Sequence, residues 1–148
     1  DICSLMTNCY ESLSTMAAEN DVVMVGVHFN VKHKKVVGSP LHIQRILLNI
    51  LSNSVKYNKK NGKVEVAVAR TKEGVILSVQ DNGIGIPKEH QERIFERFYR
   101  VDKSRSKETG GTGLGLAIVK HIAQVHGALL EVISEVDQGT KIMVTFRH

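Results

Sequence analysis

The sequence predicts an α+β fold: a two-layer α/β sandwich in which a mixed, mostly antiparallel sheet carries helices on one face. Three observations predict it. Segments of helical and strand period follow one another in the order helix, strand, helix, two strands, helices, two strands, which a single sheet with its helices on one side accommodates. Two pairs of adjacent strand-like runs are joined by short polar links containing Gly, as hairpins are. The chain has 148 residues, 42% of them hydrophobic, and a globular chain of that size removes roughly 70% of its unfolded surface from water. One core in one domain is therefore enough.

Each element has its own signal. Ile2, Leu5, Met6, Cys9, Leu13, Met16 and Ala17 recur at three- and four-residue steps, so residues 1–20 read as one amphipathic helix. Val25, Val27, Phe29 and Val31 alternate with other residues, as in a half-buried strand. Ser39 and Pro40 supply an N-cap and a first helical residue. Ile43, Ile46, Leu47, Ile50 and Leu51 continue that helix to about Tyr57, and the polar turn at residues 58–62 ends it. Strands follow at residues 64–70 and 75–80 around Thr71-Lys72-Glu73-Gly74. A short helix near Pro87 carries Ile94, Phe95 and Phe98, with both Phe rings read as core packing. Residues 99–112 are charged, small and aperiodic, hence a mobile loop. A strong helix spans 114–125 with Gly127 as its stop, and strands at 129–134 and 142–146 flank the turn Asp137-Gln138-Gly139.

Composition narrows the function classes. Disorder, collagen and a disulfide scaffold are excluded, no apolar run approaches the roughly 20 residues of a membrane span, and no internal repeat or linker is visible. The chain begins at Asp1, without a basic-then-apolar leader, which suggests a piece of a longer protein. The net charge of +5 invites nucleic acid, but the basic residues are dispersed. The densest cluster, Lys32, Lys34 and Lys35 with His33, has only Phe29 as an aromatic neighbour, so nucleic-acid binding is not expected. Cys3 and Cys9 lie six apart on a helix, face different ways and lack Cys-x-x-Cys spacing, which fits a reducing cytosol.

Chemistry gathers at two glycine-rich stretches and one helix. Asp81-Asn82-Gly83-Ile84-Gly85-Ile86-Pro87 ends a strand, and Gly110-Gly111-Thr112-Gly113-Leu114-Gly115-Leu116 opens a helix. Closely spaced glycines before a helix bring backbone N–H groups to an anion, and the helix N-terminus favours negative charge. Either stretch alone also fits plain loop geometry. Neither is a P-loop or a dinucleotide fingerprint. On the helix from Pro40, Asn49, Asn53 and Lys56 repeat at steps of four and three and lie along one margin of the apolar stripe. Two amides and an ammonium there suit a hydrated cation and phosphate oxygens, or a polar edge in solvent.

Together these residues resemble a known family. Residues 44–58, with Leu47-Leu48-Asn49-Ile50-Leu51-Ser52-Asn53-Ser54-Val55-Lys56-Tyr57, resemble the N box of sensor histidine kinases of two-component systems, members of the GHKL superfamily. Residues 81–86 are similar to the first glycine box, Ile94-Phe95-Glu96-Arg97-Phe98-Tyr99-Arg100-Val101-Asp102 to the F box, residues 111–116 to the second glycine box, and Gly139-Thr140 to the last glycine motif. Five motifs in the family's order cover about residues 40–146, while the first twenty-odd carry no signature.

The resemblance implies the Bergerat ATP-binding sandwich with ATP and Mg²⁺ as cofactors. It implies that Asp81 accepts a hydrogen bond from the adenine amine, that Gly83, Gly85 and Ile86 pass close to the base, and that Asn53 ligates the metal as a hard oxygen donor. Asn49 and Lys56 would reach phosphates, Tyr57 would flank base or ribose or serve as a capping aromatic, and Arg100, beside Tyr99, would meet the terminal phosphates. The backbone of Gly111, Thr112, Gly113, Leu114, Gly115 and Leu116 would close over the nucleotide, residues 99–112 would be the lid, and Thr140 would lie near the adenine or be only a turn residue. Asn49, Lys56 and Arg100 are the expected catalytic group.

Relatives of the gyrase, chaperone and mismatch-repair type place a Glu four residues before the metal-binding Asn; Asn49 stands there and an amide is no general base. Transfer of the γ-phosphate to a protein side chain is therefore favoured over hydrolysis. In the family the acceptor is a His followed by an acidic residue, on a separate dimerisation domain. None of the seven histidines here is followed by Asp or Glu, so they read as core or surface residues and the acceptor is expected elsewhere. The resemblance further implies a response regulator as partner, a homodimeric parent anchored in the cell membrane, and a cytoplasmic, mostly monomeric catalytic piece. A nucleotide-binding reporter and an anti-sigma-type serine kinase of the same superfold are the other readings.

Overall fold

A computed structural model describes residues 1–30, 35–101 and 113–147. Val31, the basic residues Lys32, His33 and Lys34, most of the expected lid with Asp102, Gly110, Gly111 and Thr112, and His148 lie outside the described residues.

The leading segment is two helices, not one. In α1 (Ile2–Ser12), Asp1 caps the start by accepting from the Cys3 and Ser4 amides at 2.8 and 3.2 Å. The Ser12 hydroxyl then donates to the Cys9 carbonyl at 2.7 Å, and the Leu13 amide turns to the Tyr10 carbonyl instead. A side chain that competes for a backbone acceptor ends a helix this way, and α2 (Ser14–Glu19) starts afresh. The apolar set predicted for a single helix, Met6, Cys9, Leu13 and Ala17 among it, is still buried.

Strand β1 (Val23–Phe29) is displaced from the expected phase. A bulge falls between Met24 and Gly26, and Val25 is 48% exposed while Met24 and Val27 pack toward the core. An extra residue in one strand reverses the alternation beyond it, which the simple Val25-Val27-Phe29 pattern could not reveal. α3 (Pro40–Lys56) begins as expected at Ser39, whose hydroxyl accepts from the His42 amide at 3.5 Å. Strands β2 (Lys63–Arg70) and β3 (Gly74–Asp81) form the first hairpin. The helix expected after Pro87 is only a 3-10 turn at Lys88–His90 followed by loose turns. Phe98 is accordingly 71% exposed, at φ 62° with its amide on the Gly113 carbonyl at 2.9 Å, and is not core packing. Helix α4 (Gly115–Val125), then β4 (Leu129–Glu135) and β5 (Gly139–Arg147), complete the chain.

The five strands lie in the order β1-β2-β3-β5-β4, with β1 parallel to β2 and the remaining neighbours antiparallel. One face carries Val64, Val66 and Val68, Leu77 and Val79, and Ile142 and Val144, all buried under the helices. α4 and α1 both pack on α3, whose Ile46, Leu47, Ile50 and Leu51 fill the middle of the core. The predicted α+β sandwich with helices on one face is what the chain forms. No helix among the described residues is long and apolar enough to cross a membrane.

Leu47→Ala, at a fully buried position of α3, should lower the unfolding free energy by about 2–5 kcal/mol in urea denaturation. Ile133→Ala, on the exposed face of β4, should change it by about 0.5 kcal/mol or less. Comparable losses at the two positions would contradict this placement of the core.

Candidate functional site

Register brings the first polar groups together. At the ends of the central strands Val64 faces Asp81, Asp81 faces Thr140, and Thr140 faces Ser134, one row across four strands. Asp81 Oδ1 accepts from the Gly83 amide at 2.9 Å and the Thr140 amide at 3.2 Å. The Ser54 hydroxyl, from α3, lies beside the Asp81 side chain and has one proton to give, either to the Ile50 carbonyl at 3.1 Å or to that carboxylate.

The loop after Asp81 is tied on three sides. The Ile84 amide donates to the Tyr57 carbonyl at 3.3 Å, the Asp137 amide to the Ile84 carbonyl at 2.9 Å, and the Ile86 amide to Ser134 Oγ at 2.8 Å. Gln91 Nε2 clamps the same place by donating to the Ile86 and Ser134 carbonyls at 3.0 and 2.9 Å. Two glycines make these approaches possible. A Cβ at Gly85, where φ is 69°, would overlap the Glu135 carbonyl oxygen, and one at Gly139, where φ is 117°, would overlap the Asp81 carbonyl oxygen. Left-handed backbone and absent space together require Gly there.

A cavity of about 640 Å³ opens where this loop, α3 and the start of α4 meet. α3 contributes Asn49, Asn53 and Lys56 along one margin, with Tyr57 at its end. Asn49 Nδ2 donates to the Arg45 carbonyl at 2.9 Å, and its oxygen lies beside Gly115. Among the described residues, the Asn53 side-chain amide has no hydrogen-bond partner and Lys56 no ion pair. Asp81, Thr140, Gly85 and Ile86 form the sheet side, Tyr99 and Arg100 a further wall, and Gly113, Leu114, Gly115 and Leu116 the α4 side. Among the described residues no side chain caps the start of α4, and a helix start with its N–H groups and dipole favours an anion.

Gly83 is not on the wall. It is buried behind the loop, where a Cβ would press on the Tyr57 carbonyl. Gly111 and Thr112 lie outside the described residues. Ser54, Ile94, Ile118 and Ile142 line the cavity without having been expected to. The three Ile residues read as core from their periodicity, Ser54 only follows Asn53, and Ser134 enters through strand register that no local pattern encodes.

Burial dominates the charge at Asp81. It pushes the carboxyl above the usual carboxylate range, against the bonds from Gly83, Thr140 and Ser54, which favour the ionised form. No group of three or more His, Cys, Asp or Glu among the described residues could hold a metal ion. A cation in this cavity would depend on amide oxygens, on water and on its own anionic ligand.

A nucleotide-sized cavity with one acidic end and a basic, amide-lined margin on this sandwich defines a class of protein. The chain belongs to the histidine kinase-, DNA gyrase B- and HSP90-like ATPase family, whose sequence pattern matches residues 38–148. Within it the chain is 40% identical over 115 residues to the signal transduction histidine-protein kinase ArlS of Staphylococcus aureus (strain USA300). That match covers 78% of the chain and 26% of the relative, so the chain spans about a quarter of the length of the curated relatives it matches. It superposes on the mycobacterial sensor histidine kinase MprB with a TM-score of 0.84 and 28% identity, over 99% of this chain and 94% of that one. Full-length ShkA, solved in complex with AMPPNP, gives a TM-score of 0.84 and 29% identity over 97% of this chain and 29% of that one.

With its pKa raised in the folded state, Asp81 keeps a proton that the unfolded chain has already released. Its contribution to stability is therefore full below the unfolded value of about 3.9 and is lost as pH rises through the folded one. Urea melts between about pH 3 and 7 should show that decline in the parent relative to Asp81→Asn. A difference that stays flat or grows with pH would contradict the buried-carboxylate assignment.

Proposed function

We propose that this chain is the ATP-binding catalytic domain of a sensor histidine kinase, which binds Mg²⁺-ATP and transfers the γ-phosphate to a histidine on a separate helical dimerisation domain. The observation that carries the reading is the convergence of Asp81, the Asn49-Asn53-Lys56 margin, Arg100 and the start of α4 on one cavity of about 640 Å³. A family of ATPases and histidine kinases supports it.

In this reading Asp81, ionised, accepts from the exocyclic amine of adenine, which selects adenine over a base with a carbonyl there. Thr140 and Ile86 bound the base, and Tyr57 flanks base or ribose. Lys56 and Arg100 meet phosphate oxygens as charged donors, Asn49 orients them, and the backbone from Gly113 to Gly115 borders the chain of phosphates. The donor set fits Mg²⁺: Asn53 offers an unpartnered amide oxygen, a hard donor, and the absence of a carboxylate cluster among the described residues suits an ion that keeps several waters. Held there by Asn53, Mg²⁺ would offset the negative charge of the phosphates.

Asn49 stands where a water-activating carboxylate would be needed for hydrolysis, so the phosphoryl group goes to a side chain brought from outside. The single catalytic domain, its leading helices and its lid at 99–112 would thus work with a histidine-bearing domain and a response regulator. The place of work is the cytoplasm, under a membrane-anchored homodimeric parent.

Calorimetry should find Mg²⁺-ATP binding, weakened about 10- to 100-fold by Asp81→Asn, the range for losing one hydrogen bond to a charged group. With γ-labelled ATP, acid-labile label should appear only when a matching histidine-bearing dimerisation fragment is added. Absence of ATP binding, or acid-stable label on a Ser, would overturn the reading.

A further inference from the structure

Tyr99 reaches the cavity wall from a stretch without regular secondary structure, so side chains have to hold it. The Tyr99 hydroxyl is hydrogen-bonded to His90 Nδ1. The Arg93 guanidinium lies over the Tyr99 ring, 4.4 Å from its centroid, a cation–π contact. Glu96 in turn grips Arg93 through contacts of 3.2–3.4 Å. His90 is itself fixed, because its amide closes the 3-10 turn on the Pro87 carbonyl at 2.9 Å and Pro87 lines the same cavity. The next residue after Tyr99 is Arg100, also on the wall.

A phenol has one proton to give. When His90 Nδ1 is unprotonated it accepts that proton, and the Tyr99 oxygen shows only lone pairs to an arriving anion. When Nδ1 carries a proton it donates to the Tyr99 oxygen, and the hydroxyl is released to point at an anionic oxygen. We propose that His90 is a positioning residue for the nucleotide: its Nδ1 holds the Tyr99 phenol at the cavity wall, and the tautomer it takes decides whether that hydroxyl donates to the imidazole or turns to a phosphate oxygen. This rests on the nucleotide reading above.

The test is calorimetric affinity for ATP and for adenosine in the parent, His90→Ala, His90→Asn and Tyr99→Phe. ATP should bind His90→Ala and Tyr99→Phe about five- to tenfold more weakly, with adenosine affinity within about twofold of the parent. His90→Asn, whose side-chain amide sits near the Nδ1 position and offers the Tyr99 hydroxyl a partner, should recover most of the affinity. Unchanged ATP affinity in His90→Ala, or no recovery in His90→Asn, overturns the inference while ATP binding by the parent leaves the nucleotide reading standing. A parent that binds neither ligand overturns both.

Discussion

A carboxylate drawn partly out of water has to be bonded, and the bonds Asp81 receives organise everything around the cavity. Two of its donors are backbone amides, one from the loop that follows it and one from the neighbouring strand β5. The first fixes the loop from Gly83 onward, and the second ties the loop to the end of the sheet. Because Thr140 also meets Ser134 at 2.8 Å between hydroxyls, the restraint extends to β4 and from there to Ile86. The polar end of the cavity is thus an extension of the strand register, as rigid as the sheet that carries it.

The other half of the site has a different origin. α3 fills the core with one face and offers Asn49, Asn53 and Lys56 along the margin of that face. Core packing therefore places the amides and the ammonium, since a rotation that exposed Leu47 or Ile50 would carry all three away. His126 adds a tie at the helix's beginning. Its Nδ1–H donates to the Ile122 carbonyl at 2.9 Å, and its Nε2 accepts from the Ser39 amide at 3.3 Å, so the end of α4 holds the cap of α3. Gly38 leaves the room for that ring. The start of α4 faces the cavity while its end steadies α3.

Much of this was legible in the sequence, and the limits have physical causes. The cap and stripe of α3, the hairpin at Gly74 and the stop at Gly127 depend on neighbours a few residues away, so local patterns reveal them. The break at Leu13 depends on one hydroxyl competing for one carbonyl, and the β1 bulge on an added residue, and neither disturbs the apolar pattern enough to be seen. Ile94, Phe95 and Phe98 fall near helical steps and predict a helix after Pro87, yet of the three only Ile94 is buried. At the site, spacing brings out Asn49, Asn53 and Lys56 and the two glycine stretches, while Asp81, Tyr57, Arg100 and Thr140 enter through the resemblance. Residues that enter through long-range pairing show in neither: Ser134 and Gln91 act across the sheet end, and His90 acts through a turn that periodicity misread.

Asp81 as the adenine-reading carboxylate is the central claim, and amide chemical shifts test it most directly. On adding adenosine to the ¹⁵N-labelled chain, the Gly83 and Thr140 resonances should move together and saturably, because both amides bond the carboxylate that would take up the adenine amine, and Asp81→Asn should abolish or strongly shift that response to higher ligand concentration. Saturable binding that leaves both resonances in place, or an identical response in Asp81→Asn, would contradict the account.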